Sequence, residues 1–145
     1  MIPIHRVEIN ITELCNRKCY FCPRALNYPN QNLHMTPEVA EQVFIQTDPY
    51  TNFISMAGRG EPLLGKYLYE ICELAKKYQR HMRIITNGDA LHKHIDELDK
   101  IFNLKNQRQR AIIQVNCYDG EKQKKTWSEK FKEYKAVTFD DHHQT

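Results

Sequence analysis

Three of the chain's five cysteines fall within eight of its 145 residues: Cys15, Cys19 and Cys22 of the stretch CNRKCYFCPR. The spacing C-x3-C-x2-C arises by chance in roughly 0.6% of chains of this length and cysteine content, so a shared ligand explains it better. Thiolates are soft donors that hold zinc or iron–sulfur clusters. Four of them would close a structural zinc site or saturate a four-iron cluster, whereas three leave one iron of a cubane without a protein ligand. That open iron can bind a substrate or cofactor directly. The same thiols joined by His5 or His34 would make a Cys3His zinc site instead, although zinc sites more often pair their cysteines as separated C-x2-C knuckles.

Distinctive residues recur at three further places. GRGEP, residues 58–62, follows the apolar run NFISMAG; TNG, residues 86–88, closes MRIITNG; and NCYDG, residues 116–120, closes AIIQVNCYDG. Each run has the length of a strand and ends in turn residues. In parallel α/β folds, ligands bind at the carboxyl ends of strands. These motifs should therefore converge with the cysteine loop, which follows the alternating strand RVEINIT, residues 6–12. Gly58 and Gly60 permit close backbone approach, and a carboxylate with carbonyls at Glu61 suits an ammonium group.

With Phe21 just before the last cysteine, and with the motifs in this order, the chain resembles the radical S-adenosylmethionine superfamily over residues 6–120. GRGEP resembles that family's GGEP segment, with Arg59 where the commonest form has glycine. TNG and VNCYDG resemble its third- and fourth-strand endings, with Asn116 where the family often has serine. The resemblance implies a [4Fe–4S] cluster on Cys15, Cys19 and Cys22, with S-adenosylmethionine chelating the open iron. It implies cofactor contacts from Phe21, Gly58, Gly60, Glu61, Pro62, Thr86, Asn87 and Asn116. One electron, from a donor such as flavodoxin or ferredoxin, would cleave the sulfonium to methionine and a 5′-deoxyadenosyl radical. That radical would take hydrogen from a peptide or small metabolite. Shortness also suggests a glycyl-radical-enzyme activating protein, or a non-catalytic iron–sulfur or zinc-binding module.

Strand and helix patterns alternate about five times. Thr36, Pro37 and Glu38 are placed to cap, open and charge a first helix through residue 47. KYLYEICELAKKY puts Leu68, Ile71, Cys72, Ala75 and Tyr78 on one face, and ALHKHIDELDKIF does so with Leu91, Ile95, Leu98 and Phe102. A fourth helix is expected over 121–134 and a strand begins at AVTF, residues 136–139. The expected fold is α/β with a parallel sheet: a partial (β/α) barrel of the radical SAM type, shortened to four to five strand–helix units. A partner chain is one way to complete such a barrel. One core domain spans 1–145, with 140–145 expected to fray.

Hydrophobic residues make up 41%, charged residues 27%, and the net charge is +3. The basic runs QRQR and EKQKK lack interleaved aromatics and read as solvated surface, not as a nucleic-acid site. No apolar segment approaches the roughly 20 residues that span a bilayer, and no secretory signal pattern opens the chain. A cytoplasmic location is expected, where thiols stay reduced. Cys72 reads as core and Cys117 as core or site wall. Arg24 and Arg59 flank the site, either to pair with a carboxylate or phosphate or as solvated loop residues. His92 and His94 read as surface, and His142 and His143 as tail residues able to pick up stray metal. Glu8, Asn10 and Thr12 form one polar strand face, turned either to a barrel interior or to solvent.

Overall fold

The computed structural model describes residues 2–106 and 110–141. His142, His143 and most of the QRQR run lie outside them. Five strands pair in sequence order, all parallel: β1 (Val7–Ile9), β2 (Phe53–Met56), β3 (His81–Thr86), β4 (Ala111–Cys117) and β5 (Val137–Asp141). Between them run α1 (Pro37–Thr47), α2 (Leu68–Lys77), α3 (Leu91–Phe102) and α4 (Glu121–Lys130). Because the strand order never reverses, right-handed crossovers set every helix on one face of the sheet. The result is the expected shortened barrel.

The register separates the two faces. Val7, Ile54, Met82 and Ala111 share one rung, and Ile9, Met56, Ile84, Ile113 and Val137 another. These apolar rungs, buried except for the partly buried Val7, pack against Phe44, Ile71, Cys72, Leu91, Leu98 and Phe102 of the helices. The residues between them point to the inner face: Glu8, Ser55, Arg83 and Ile112 in one rung, then Ile85, Gln114 and Thr138 in the next.

The first helix starts as expected, with Val39 N–H donating to Thr36 Oγ1 at 3.3 Å. Three elements differ from expectation. β1 stops at Ile9 because the chain leaves the sheet. Thr12 then bridges antiparallel to His34 and donates its hydroxyl to Leu33 O at 3.1 Å. Thr12 is buried there and so does not continue the polar face of Glu8 and Asn10. α4 ends early because Phe131 and Tyr134 turn into the core. β5 runs on through Asp140 and Asp141, which were expected to fray. Cys72 is fully buried, as read from its helix face, and so is Cys117.

Candidate functional site

The cysteine loop lies over the carboxyl ends of the strands and is fastened at three points. At its start, Glu61 N–H donates to Leu14 O at 2.7 Å and Cys15 N–H to Asn30 Oδ1 at 3.0 Å. In its middle, Arg17 spans two strand ends. Its Nε and Nη2 donate to Asp89 at 2.7 and 2.8 Å, and its Nη1 and Nη2 to Asp119 at 2.9 and 2.8 Å. Asn16 joins the same corner, donating to Asp89 Oδ2 and accepting from Asn87 Nδ2. At its end, Arg24 donates from Nε to Arg59 O at 2.7 Å, from Nη1 to Asn30 Oδ1 at 3.2 Å and from Nη2 to Glu13 O. Arg24 is therefore neither solvated nor poised for a ligand. It is 3% exposed and clamps the loop to the GRGEP segment. Arg59 is the exposed arginine, donating to the Tyr28 hydroxyl.

GRGEP packs beneath this loop because two of its positions admit no side chain. Gly58 has φ +120°, and a Cβ there would stand 3.0 Å from Asn10. At Gly60 a Cβ would fall 1.9 Å from Thr12 O. The next residue, Glu61, is 3% exposed. Its Oε1 accepts from Leu63 N–H at 3.1 Å and from the Thr86 hydroxyl, and its Oε2 from Asn87 N–H at 2.8 Å. Burial pushes the Glu61 carboxyl up, while these donors draw it back. The carboxylate thus ties the second strand end to the third. Three donors occupy three of its roughly four acceptor positions.

Cys15, Cys19 and Cys22 face one cleft of about 290 Å³, and Phe21, Gly58, Gly60, Glu61, Thr86, Asn87 and Asn116 line it with them. Of the residues that the resemblance gave to cofactor contacts, Pro62 alone does not line it and is buried in a 3-10 turn. Asn116 accepts from Gln114 Nε2 at 3.2 Å. The sequence reading missed Arg17 and Tyr118, which also line the cleft. The Tyr118 ring lies 5.6 Å from Phe21, with the Arg17 guanidinium 5.7 Å from its centroid. The available signal for Arg17 was a loop cation facing two acids, Asp89 and Asp119, each just beyond a strand-end turn. His94 was read as surface but is half-buried and bonds Tyr69 at 2.5 Å.

All three thiols are free. Burial raises Cys15 and Cys19 above the ordinary thiol range, while Arg17 pulls Cys19 down. Among the described residues, no three His, Cys, Asp or Glu side chains converge closely enough to share one metal ion. A zinc site would need His5 or His34. His34 has both ring nitrogens engaged, with Asn32 Oδ1 at 2.7 Å and Lys66 N–H at 3.0 Å. His5 lies against Phe53 at the opposite ends of the strands. The thiols fit a larger group, because a cluster of four irons and four sulfides spreads its ligands more widely than one ion.

Parallel strands feeding a three-cysteine loop above a glycine-lined cleft define a cofactor-binding partial barrel. The Radical SAM superfamily model matches residues 9–138, and the chain belongs to that family. Its cofactors are therefore a [4Fe–4S] cluster and S-adenosylmethionine. A probable GTP 3′,8-cyclase of Methanocaldococcus jannaschii is 34% identical over 100 residues, covering 66% of this chain and 32% of that protein. The S-adenosyl-L-methionine-dependent 2-deoxy-scyllo-inosamine dehydrogenase of Niallia circulans is 30% identical over 89 residues, covering 59% of this chain and 36% of that one. The crystal structure of BtrN with AdoMet and 2-DOIA matches with a TM-score of 0.77 at 24% identity, over 98% of this chain and 58% of that one. The chain thus spans about a third of the length of the curated relatives it matches. No described helix is long and apolar enough to cross a membrane.

Proposed function

We propose that this chain carries the cofactor-binding half of a radical S-adenosylmethionine reaction on a small metabolite. One observation supports it above the rest. The cysteine triad, the Gly58–Gly60 backbone and the ends of β3 and β4 meet in one cleft, although they are separated by about a hundred residues of sequence. Bound together, cluster and cofactor supply a one-electron cleavage of the sulfonium and a hydrogen abstraction. The chain's own residues do the positioning. Cys15, Cys19 and Cys22 would hold the cluster, while Arg17 fixes their loop and offsets thiolate charge. Backbone at Gly58 and Gly60 receives the ammonium, Phe21 and Tyr118 supply apolar walls, and Asn87 and Asn116 offer hydrogen bonds to hydroxyls. The relatives' names point to small molecules, a nucleotide and an aminocyclitol, more than to peptides.

A second reading, a cluster module without turnover, draws on the five-strand sheet and on the relatives' greater length. Anaerobic reconstitution separates the two. Dithionite-reduced protein with S-adenosylmethionine should hold four irons per chain and form 5′-deoxyadenosine, and Cys19→Ala should do neither. A full cluster whose paramagnetic spectrum ignores S-adenosylmethionine would favour the module, and zinc after anaerobic handling would refute both.

A further inference from the structure

The inner face of the sheet carries a second cavity, of about 230 Å³, nearer the amino ends of the strands than the cleft. Its polar and aromatic lining is His5, Arg6, Phe53, Ser55, His81 and Arg83, with no carboxylate among the lining residues. Its place follows from the register. Ser55, Arg83 and Ile112 share a rung, and Phe53 pairs with His81 two residues earlier. Two residues later on the same strand and face, Ile85 lines the cleft. At about 3.3 Å per residue, the two walls are roughly 7 Å apart along β3. A molecule of ordinary metabolite length touches both.

Arg83 is the unusual member. Its Nε is buried with no hydrogen-bond partner, and among the described residues neither Arg83 nor Arg6 forms an ion pair. The acid in its rung is Glu8, exposed and beyond Ser55, two strand spacings or about 10 Å away. A buried guanidinium N–H left without an acceptor costs stability unless something supplies one. Phe53, 48% exposed, stands beside it between the rings of His81 at 5.0 Å and His5 at 6.4 Å. That gives an apolar wall next to fixed positive charge.

We propose that this pocket binds an oxyanion of the substrate, a phosphate or carboxylate, with Arg83 as its fork-shaped donor and Arg6 as second cation. The inference rests on the radical enzyme reading and narrows its substrate to an anionic small molecule whose charged end lies about 7 Å below the cleft. An aminocyclitol would be rejected here by its ammonium.

The test uses the 145-residue chain, 15N-labelled, observed at the arginine Nε–Hε resonances and titrated separately with pyrophosphate and malonate at fixed ionic strength. The Arg83 resonance, assigned by its loss in Arg83→Lys, should shift saturably. Saturation by pyrophosphate alone identifies a phosphorylated substrate, and by malonate alone a carboxylate. Measured by titration calorimetry, Arg83→Gln should bind the effective probe at least tenfold more weakly than wild type, and Arg83→Lys should lose less, because it keeps charge without the fork. An unmoved Arg83 in both titrations, or shifts confined to Arg80 and Arg110, which line a different pocket, overturns the proposal. The wild-type deoxyadenosine assay keeps the two readings apart. Deoxyadenosine with an unmoved Arg83 removes only the anion pocket, whereas a saturable shift without deoxyadenosine supports the pocket and removes the reaction.

Discussion

Replacing Arg17 with alanine should release the cysteine loop from the strand ends. Arg17 makes four charge-assisted hydrogen bonds of 2.7 to 2.9 Å. Its own side chain is 18% exposed, Asp89 is 28% exposed and Asp119 is 55% exposed. The Asp89 pair is bidentate and shielded, so it contributes about 2 kcal/mol. The Asp119 pair is half in water and contributes roughly 0.5–1 kcal/mol. Together they hold the docked loop by about 3 kcal/mol, or about a hundredfold in population. Amide hydrogen exchange across residues 15–22 of the apo chain should quicken about a hundredfold in Arg17→Ala, while amides of β3 and β4 keep their protection. Asp89→Asn should reproduce most of the effect, and the double variant should add little beyond it. Loop exchange within threefold of wild type would refute the clamp.

Three further outcomes follow from the packing. Gly60→Ala pushes a Cβ into the Thr12 and Leu14 carbonyls and should cost about 3 kcal/mol in chemical denaturation; an unshifted midpoint would contradict the close approach. Glu61→Gln sets an NH2 against the buried donors of Leu63, Thr86 and Asn87, which should cost about 1–3 kcal/mol in a thermal melt; a neutral result would mean that the carboxylate is not the tie between strand ends. Burial pushes the Tyr134 phenol up to about 12, and Asp96, accepting its proton at 3.1 Å, pushes the same way. Its folded value lies above the ordinary tyrosine value of about 10, so its contribution to stability is whole below pH 10 and lost as pH rises through about 12. Tyr134→Phe should remove that alkaline loss; an unchanged alkaline unfolding profile would rule the group out.

The sequence made the frame and most of the site readable, and the reasons are local. Leu68, Ile71, Cys72 and Ala75 recur at helical spacing, and all four are buried as that spacing requires. The cysteine triad and GRGEP are contiguous, so their chemistry could be read without knowing what lay opposite. Arg17 could not be read this way, because its partners stand 72 and 102 residues downstream and only the strand order brings them together. Arg24 was misjudged for the related reason that backbone carbonyls, its actual partners, leave no mark in sequence. Glu61 was placed correctly at a strand end, but the donors it accepts from, two backbone N–H groups and the Thr86 hydroxyl, lie where no contiguous pattern reveals them.

The distance from Arg17 to Asp119 also sets a clock. A ribosome adds about 5–20 residues per second, so the 102 residues between them take roughly 5–20 s to make. During that interval the three thiols have left the ribosome on a segment whose clasp does not yet exist. Neither Asp89 nor Asp119 has been synthesised when the last cysteine appears. Iron delivered then would meet a floppy peptide, and oxidants would meet it too. Loading the cluster onto a finished clasp must therefore wait for the fourth strand.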